Sequence, residues 1–173
     1  MDFKITGKTA LITGSSKGIG LQIAKTLHKE GCQVILNSRN QKDLEKQTKL
    51  LEGSIGISGD VTSSNQAHSI ISNIIDTFGK LDILVCNVGS GKSVPPGEEN
   101  LKEWVRMINL NLYSTTNMVE ASAKYLSLGK GKIVCISSIC GNEIIPGAPI
   151  TYSASKAALN SYVRGISRPL AEK

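Results

Sequence analysis

The stretch "YSASK" at 152–156 sets a phenol and an amine four residues apart. On a helix that spacing puts Tyr152 and Lys156 on one face, a single turn from each other. A free tyrosine hydroxyl keeps its proton near neutrality and is a poor base, whereas a nearby ammonium favours the phenolate. The pair is therefore suited to give or take a proton at a substrate oxygen. Upstream, "ISS" at 136–138 closes an apolar run and can deliver a serine hydroxyl to the same crevice. Asn111 falls in a helix-patterned segment between two apolar runs. Each residue also has a purely structural use: Ser137 and Ser138 as strand-end caps, Asn111 at a helix kink, Tyr152 as packing.

Two glycine-rich loops could hold a ligand beside these groups. "TGSSKGIG" at 13–20 lies between a strand-like run and a helix-patterned one. Gly14 permits a tight turn, Gly18 lets backbone approach a pyrophosphate, and Gly20 lets the new helix pack on the sheet while its N–H groups face the anion. "LDILVCNVGSGKS" at 81–93 ends like a nucleoside triphosphate-binding loop, but Cys86 stands where that motif needs its first glycine. The following "VPPG" also favours an extended or turning chain over the required helix. The triphosphate reading fails on both counts.

The elements that must position these groups are legible as alternating runs. "TALIT" (9–13), "QVILN" (33–37), "SIGIS" (54–58), "LDILVCN" (81–87) and "KIVCIS" (132–137) read as strands. Helix patterns cover 18–30, 41–51, 64–78, a long 101–126 that a break can divide, and 151–167. In 64–78 Ala67, Ile70, Ile71, Ile74, Ile75 and Phe78 make one apolar face, with Ser63 or Ser64 as cap and Gly79 as terminator. Continuous apolar strands fit a parallel sheet covered on both faces, and the alternation predicts a doubly wound, mostly parallel α/β sheet in three layers. No repeat, linker or low-complexity tract divides residues 1–173, so a single domain is expected.

Composition narrows the function classes. The 173 residues carry a net charge of +6 spread over scattered lysines, and aromatics make up only 4%, too few for a base-stacking platform. Nucleic acid is therefore not expected as a partner, while a basic balance suits a polyanionic cofactor. No apolar run reaches the roughly 20 residues of a membrane span, and the first residues lack a signal-peptide pattern. A cytoplasmic location is expected. Cys32, Cys86, Cys135 and Cys140 show no C-x-x-C pairing and read as small buried hydrophobes. His28 and His68 lack a second ligand at metal spacing, so no metal site is expected.

Taken in order, these motifs strongly resemble the classical short-chain dehydrogenase/reductase family. "TGSSKGIG" is similar to its cofactor turn, "GDV" (59–61) to the acid–apolar pair that holds adenine, and "NVG" (87–89) to its N-A-G loop, with Val88 replacing alanine. The resemblance implies a Rossmann fold and hydride transfer between a nicotinamide and a carbonyl or secondary alcohol. It favours Asn111 over Asn109 and, through "SxxG" at 138–141, Ser138 over Ser137. In that scheme Tyr152 donates the proton and Ser138 holds the substrate oxygen. Lys156 tunes Tyr152 and binds the nicotinamide ribose, and Asn111 positions a relay water. Gly14, Ser16, Lys17, Gly18, Ile19, Gly20, Arg39, Asp60, Val61, Asn87 and Gly89, with Tyr152 and Lys156, would contact the cofactor.

Charge bears on which cofactor. A site for NAD usually carries an acid after the second strand, but "LNSRN" (36–40) has none before Asp43. Arg39 can instead fork onto a 2′-phosphate, with Lys17 nearby, so NADP is expected over NAD. The family normally continues past "SRPLAEK" (167–173) with further strands and a substrate loop, so the resemblance implies that C-terminal strands are missing here. It also implies a homodimer or homotetramer through the helices of 101–126 and 151–167. A second reading is a nucleotide-binding or scaffold homologue with weak or no catalysis.

Overall fold

The structure is a computed structural model describing residues 3–172. Five strands, β1 (Thr9–Ile12), β2 (Gln33–Ser38), β3 (Ile55–Ser58), β4 (Ile83–Cys86) and β5 (Lys132–Cys135), form one sheet in the order β3-β2-β1-β4-β5. Every pairing is parallel. The chain builds outward from β1 in one direction, then returns to add β4 and β5 on the other side. The topological reversal thus lies between β1 and β4, where sheets of this kind form their ligand crevice.

Successive residues of β1 point to opposite faces, and both faces are covered. Leu11 belongs to a core with Ile35, Leu84 and the helices α3 (Ser64–Phe78) and α5 (Ser114–Leu128). Ala10 and Ile12 belong to the opposite core with Val34, Leu36 and Val85. Leu21 and Ala24 of α1 (Gly18–Lys29) and Leu44 of α2 (Gln41–Thr48) close that second core. This double burial is why the strand sequences are apolar throughout rather than alternating.

The helical face of 64–78 forms as its spacing predicts, with Ala67, Ile70, Ile71 and Ile74 buried and Gly79 ending the helix at φ +71. Ser63 occupies the cap position, but its side chain makes no capping bond and neither does that of Ser64, which corrects the sequence expectation. The Ser63 N–H itself donates to Asp60 O at 3.0 Å.

The long segment at 101–126 resolves into α4 (Leu101–Ile108) and α5, joined by a π-helical turn at Asn109–Tyr113. Its cause is local. The Asn111 side-chain amide donates to Met107 O at 3.1 Å, the carbonyl four residues back that an α-helical N–H would take. A side chain inserted into the ladder in this way forces the wider turn. The last helix, α6 (Ile150–Ala171), carries Tyr152 and Lys156 on its first two turns.

At the amino ends of the strands, Asp82 holds three strands together. Its carboxylate accepts from Thr9 N at 2.9 Å and from Lys8 Nζ at 3.0 Å, with Lys80 Nζ at 3.4 Å. Its backbone N–H donates to Thr9 O, and its carbonyl accepts from Lys132 N. Burial alone would raise the carboxyl's pKa, but the Thr9 N–H and the two ammonium groups outweigh it and hold it below the ordinary 3.8. A carboxyl depressed in the folded state contributes stability above its unfolded pKa and loses it as pH falls through the folded value. Asp82→Asn should therefore lower unfolding free energy by about 1–3 kcal/mol at pH 7. In denaturant titrations the gap to wild type should close on acidification below the ordinary carboxylate range.

Candidate active site

The loop after β1 is a strained turn stabilised from below. Gly14 and Gly18 adopt φ +61 and +58, a region that side-chain-bearing residues rarely enter. Ser15 anchors the turn: its N–H donates to Asn37 O at 2.9 Å, its hydroxyl to Ile12 O at 2.7 Å, and its oxygen accepts Asn37 N at 3.0 Å. Gly20 has a different reason to lack a side chain. A Cβ there would stand 2.5 Å from Asn87 Nδ2 and 2.6 Å from Gly14 O. Beside Gly18 there is open space, so the start of α1 is accessible to an anion.

The end of β4 is stitched to the end of β1. Asn87 N donates to Thr13 Oγ1 at 3.0 Å, and Asn87 Nδ2 donates to Thr13 O at 3.0 Å and Gly14 O at 3.2 Å. The Asn87 side-chain amide is thus spent on the turn itself. Two residues on, Gly89 meets the second half of the site. A Cβ on Gly89 would lie 2.8 Å from Asn111 Oδ1 and 3.2 Å from Lys156 Nζ. Asn111, fully buried, clamps the next residue by accepting Ser90 N at 2.9 Å and donating to Ser90 O at 3.2 Å.

Lys156 is 3% exposed, and its ammonium donates to Ile136 O at 2.8 Å. Burial lowers its pKa below the ordinary 10.5, opposed in part by Cys135. The ammonium stands 6.0 Å from the centre of the Tyr152 ring, which also packs beside Gly91. Ser138 accepts Cys140 N at 3.2 Å as cap of a short 3-10 turn, which leaves its own hydroxyl proton to donate. Ser137 instead gives its proton to Asn160 on α6.

A groove of about 510 Å³ runs over these strand ends, lined by Gly14, Ser16, Lys17, Arg39, Asp60 and Val61 and, farther along, Asn87, Gly89, Ser90 and Lys92. Of the residues singled out in the sequence, Gly14, Ser16, Lys17, Arg39, Asp60, Val61, Asn87 and Gly89 line this groove, whereas Gly18, Gly20, Asn111, Ser138, Tyr152 and Lys156 do not. Ile19 does not line it either; it is 64% exposed. Arg39 Nη1 is 3.8 Å from Asp60 Oδ2, while Asp60 Oδ1 accepts both the N–H and the hydroxyl of Thr62. Three cations against two acids, Asp43 and Asp60, give the groove a positive balance.

A hydrogen-bond chain beside Tyr152 had no signal in sequence spacing. Ser93 Oγ donates to Glu103 Oε1 at 2.6 Å, so with its single proton used it accepts from Thr151 Oγ1 at 2.7 Å. Arg106 pairs with Glu103 and donates to Lys92 O at 2.6 Å. Arg106, and then the Ser93 hydroxyl, hold the Glu103 carboxyl down to about 2. The loop at 90–93 is thereby tied to α4 and to the residue just before Tyr152.

A family model described as short chain dehydrogenase matches residues 8–173. The chain belongs to the short-chain dehydrogenase family. Among curated members of this family of nicotinamide-dependent oxidoreductases, an uncharacterized oxidoreductase of Staphylococcus aureus strain MW2 is 34% identical over 97% of this chain and 74% of its own length. One from Staphylococcus epidermidis strain RP62A is 31% identical over the same shares. A solved Caenorhabditis elegans short-chain dehydrogenase/reductase with cofactor superposes with TM-score 0.91 at 28% identity, over 98% of this chain and 66% of that one. Another, from Burkholderia phymatum in complex with NAD, gives TM-score 0.88 at 26% identity, over 95% and 60%. The chain thus spans about three quarters of these curated relatives and less than two thirds of the two solved structures.

The short-chain dehydrogenase residues present fit a dinucleotide. The left-handed glycines, the open space at Gly18 and the position of Gly89 make a cradle that side chains would obstruct. Outside the site, His28 bonds Glu52 O and His68 bonds Ser64 O, and no metal-binding cluster exists among the described residues. Gly20→Ala should lower stability by about 1–3 kcal/mol through overpacking against Asn87. Thermal unfolding checks this, with Gly165→Ala, a helical position where a Cβ meets open space and stability should be kept or raised, as the control.

Proposed function

We propose that this chain exchanges hydride between a nicotinamide dinucleotide, NADPH in preference to NADH, and a carbonyl or secondary-alcohol substrate. The observation that carries this reading is the approach of the Lys156 ammonium to Gly89, which lines the groove over the strand ends, with the Tyr152 ring beside it.

A bound nicotinamide supplies the hydride donor or acceptor. The chain's own residues do the rest. Gly14, Ser16, Lys17, Gly18 and Gly20 hold the pyrophosphate side, and Asp60 and Val61 flank the adenine side with Asn87 and Gly89 along the strand ends. Tyr152 passes its hydroxyl proton to the substrate oxygen in reduction and takes it back in oxidation. Ser138 donates its remaining proton to that same oxygen and fixes its position. Lys156 needs its ammonium form both to favour proton movement through Tyr152 and to hold ribose hydroxyls. Asn111 anchors Ser90 and so sets the wall facing Lys156, where a relay water would sit.

Arg39 and Lys17 support the choice of NADP. Arg39 has no close carboxylate partner beyond Asp60 at 3.8 Å, and its guanidinium is largely exposed at the groove. A planar fork in that setting suits a 2′-phosphate. The reading also includes a cytoplasmic homodimer or homotetramer. Leu101, Val105 and Tyr113, all exposed, give α4 and the π-helical turn an apolar outer stripe for a second copy. Among the described residues no helix is long and apolar enough to cross a membrane.

Tyr152→Phe should cut turnover with a ketone panel by on the order of 10²–10⁴-fold while NADPH binding is kept. NADPH binding by wild type with no turnover across the panel would favour a non-catalytic role instead. Arg39→Ala should weaken NADPH by on the order of tenfold and leave NADH unchanged. Equal effects on both would overturn the NADP assignment. Because Lys156 loses its proton at lower pH than an ordinary lysine, activity should fall on the alkaline side before pH 10.5 is reached. A pH–rate profile checks this.

A further inference from the structure

Two of the four cysteines sit face to face. Cys86 and Cys135 end the neighbouring strands β4 and β5 and are direct register partners. Both side chains point into the same core, toward α5 and α6. Neighbouring strands stand roughly 4.8 Å apart, which lies within the Cα separations of about 4.4–6.8 Å that a disulfide spans.

Their surroundings differ in a way that sorts their roles. Cys86 is 2% exposed. Cys135 is half-buried and lines a cavity of about 540 Å³ between α5 and α6, and a second of about 250 Å³ beside Ser137 and Asn160. A small molecule can therefore reach Cys135 but not Cys86. The adjoining Cys86 side chain, and next the Lys156 ammonium, hold the Cys135 thiol below its ordinary pKa against the effect of burial. The adjoining Cys135 side chain and then burial push Cys86 up. The accessible sulfur is thus the better nucleophile, and the buried one keeps its proton.

We infer that Cys135 and Cys86 form a peroxide-reactive thiol pair, with Cys135 the attacking sulfur and Cys86 the resolving one. The Cys135 thiolate attacks one oxygen of a hydroperoxide: an S–O bond forms, the O–O bond breaks, and the leaving oxygen departs as hydroxide or alkoxide. The Cys86 sulfur then attacks the Cys135 sulfur. An S–S bond forms, the S–O bond breaks, and the oxygen leaves as water with the Cys86 proton. Overall, two thiols and one hydroperoxide give one disulfide, one water and the water or alcohol of the leaving group.

The two remaining cysteines serve as internal controls. Cys32 is buried, donates to Ile5 O, and has its pKa raised by burial. Cys140 lies on the turn after Ser138 with no cysteine opposite. This inference does not depend on the proposed oxidoreductase activity.

The test treats the folded chain with a slight excess of hydrogen peroxide, alkylates remaining thiols, and reads intact mass and a peptide map. The expected result is loss of two hydrogens, a single Cys86–Cys135 cross-linked peptide, and alkylated Cys32 and Cys140. Dithiothreitol should restore both thiols. In Cys86→Ser, Cys135 should instead be trapped as a sulfenic acid by dimedone. Wild type showing Cys135 over-oxidised while Cys86 stays alkylatable would overturn the pair, as would cross-linked dimers or first oxidation at Cys140. Should the variant fail to fold, the wild-type map alone decides.

Discussion

The junction between β1 and β4 governs both halves of this molecule. These strands are neighbours in space but lie 70 residues apart in the chain, and their carboxyl ends are joined by Thr13 and Asn87. The Asn87 amide satisfies two carbonyls of a turn that otherwise has no partner for them, because the turn leaves the sheet before its ladder can continue. That arrangement leaves no room for a side chain at Gly20, so α1 packs directly on the turn and presents its amino terminus to the groove. It also launches the segment that brings Gly89 against Lys156 and Asn111. Were the junction to open, glycine turn and proton-transfer groups would lose their common reference.

The two ends of the sheet divide the labour. At the amino ends, Asp82 gathers Thr9, Lys8, Lys80 and Lys132 into a closed electrostatic knot, where every polar group has a partner. At the carboxyl ends the polar groups are deliberately incomplete. Lys156 is buried with one backbone carbonyl as acceptor, and the Ser138 hydroxyl keeps its proton to give. Such under-satisfied groups are unfavourable for folding and useful for binding. Their positions are held from outside by Asn111, by the Ser93–Thr151–Glu103 chain and by Arg106. Like the Cys86–Cys135 juxtaposition, this support comes from packing between elements distant in the chain.

Much of the architecture was legible from the sequence because local signals and global packing agree. Apolar runs covered on both faces read as strands, the six apolar residues of 64–78 read as one helical face, and the glycine turn reads from residue types alone. The elements where reading fell short are those settled by competition between alternatives. Ser63 stands at a cap position, yet its hydroxyl makes no capping bond. The helix at 101–126 carries no proline or glycine to mark its break, and the π-helical turn arises because the Asn111 amide displaces a ladder bond. Ser93, Thr151 and Glu103 are ordinary loop and helix residues until folding sets them side by side.

By itself the sequence determined the sheet's content, the left-handed glycines of its first turn, and the helical pairing of Tyr152 with Lys156. Those features depend on backbone sterics and on periodicities within a few residues, which the chain carries wherever it goes. Only the tertiary structure decided that Gly89 is the place where Lys156 meets the groove, that Ser138 keeps a proton while Ser137 gives its own away, and that Cys86 faces Cys135. These outcomes depend on strand order and register, which bring together residues dozens of positions apart, and no local spacing encodes them.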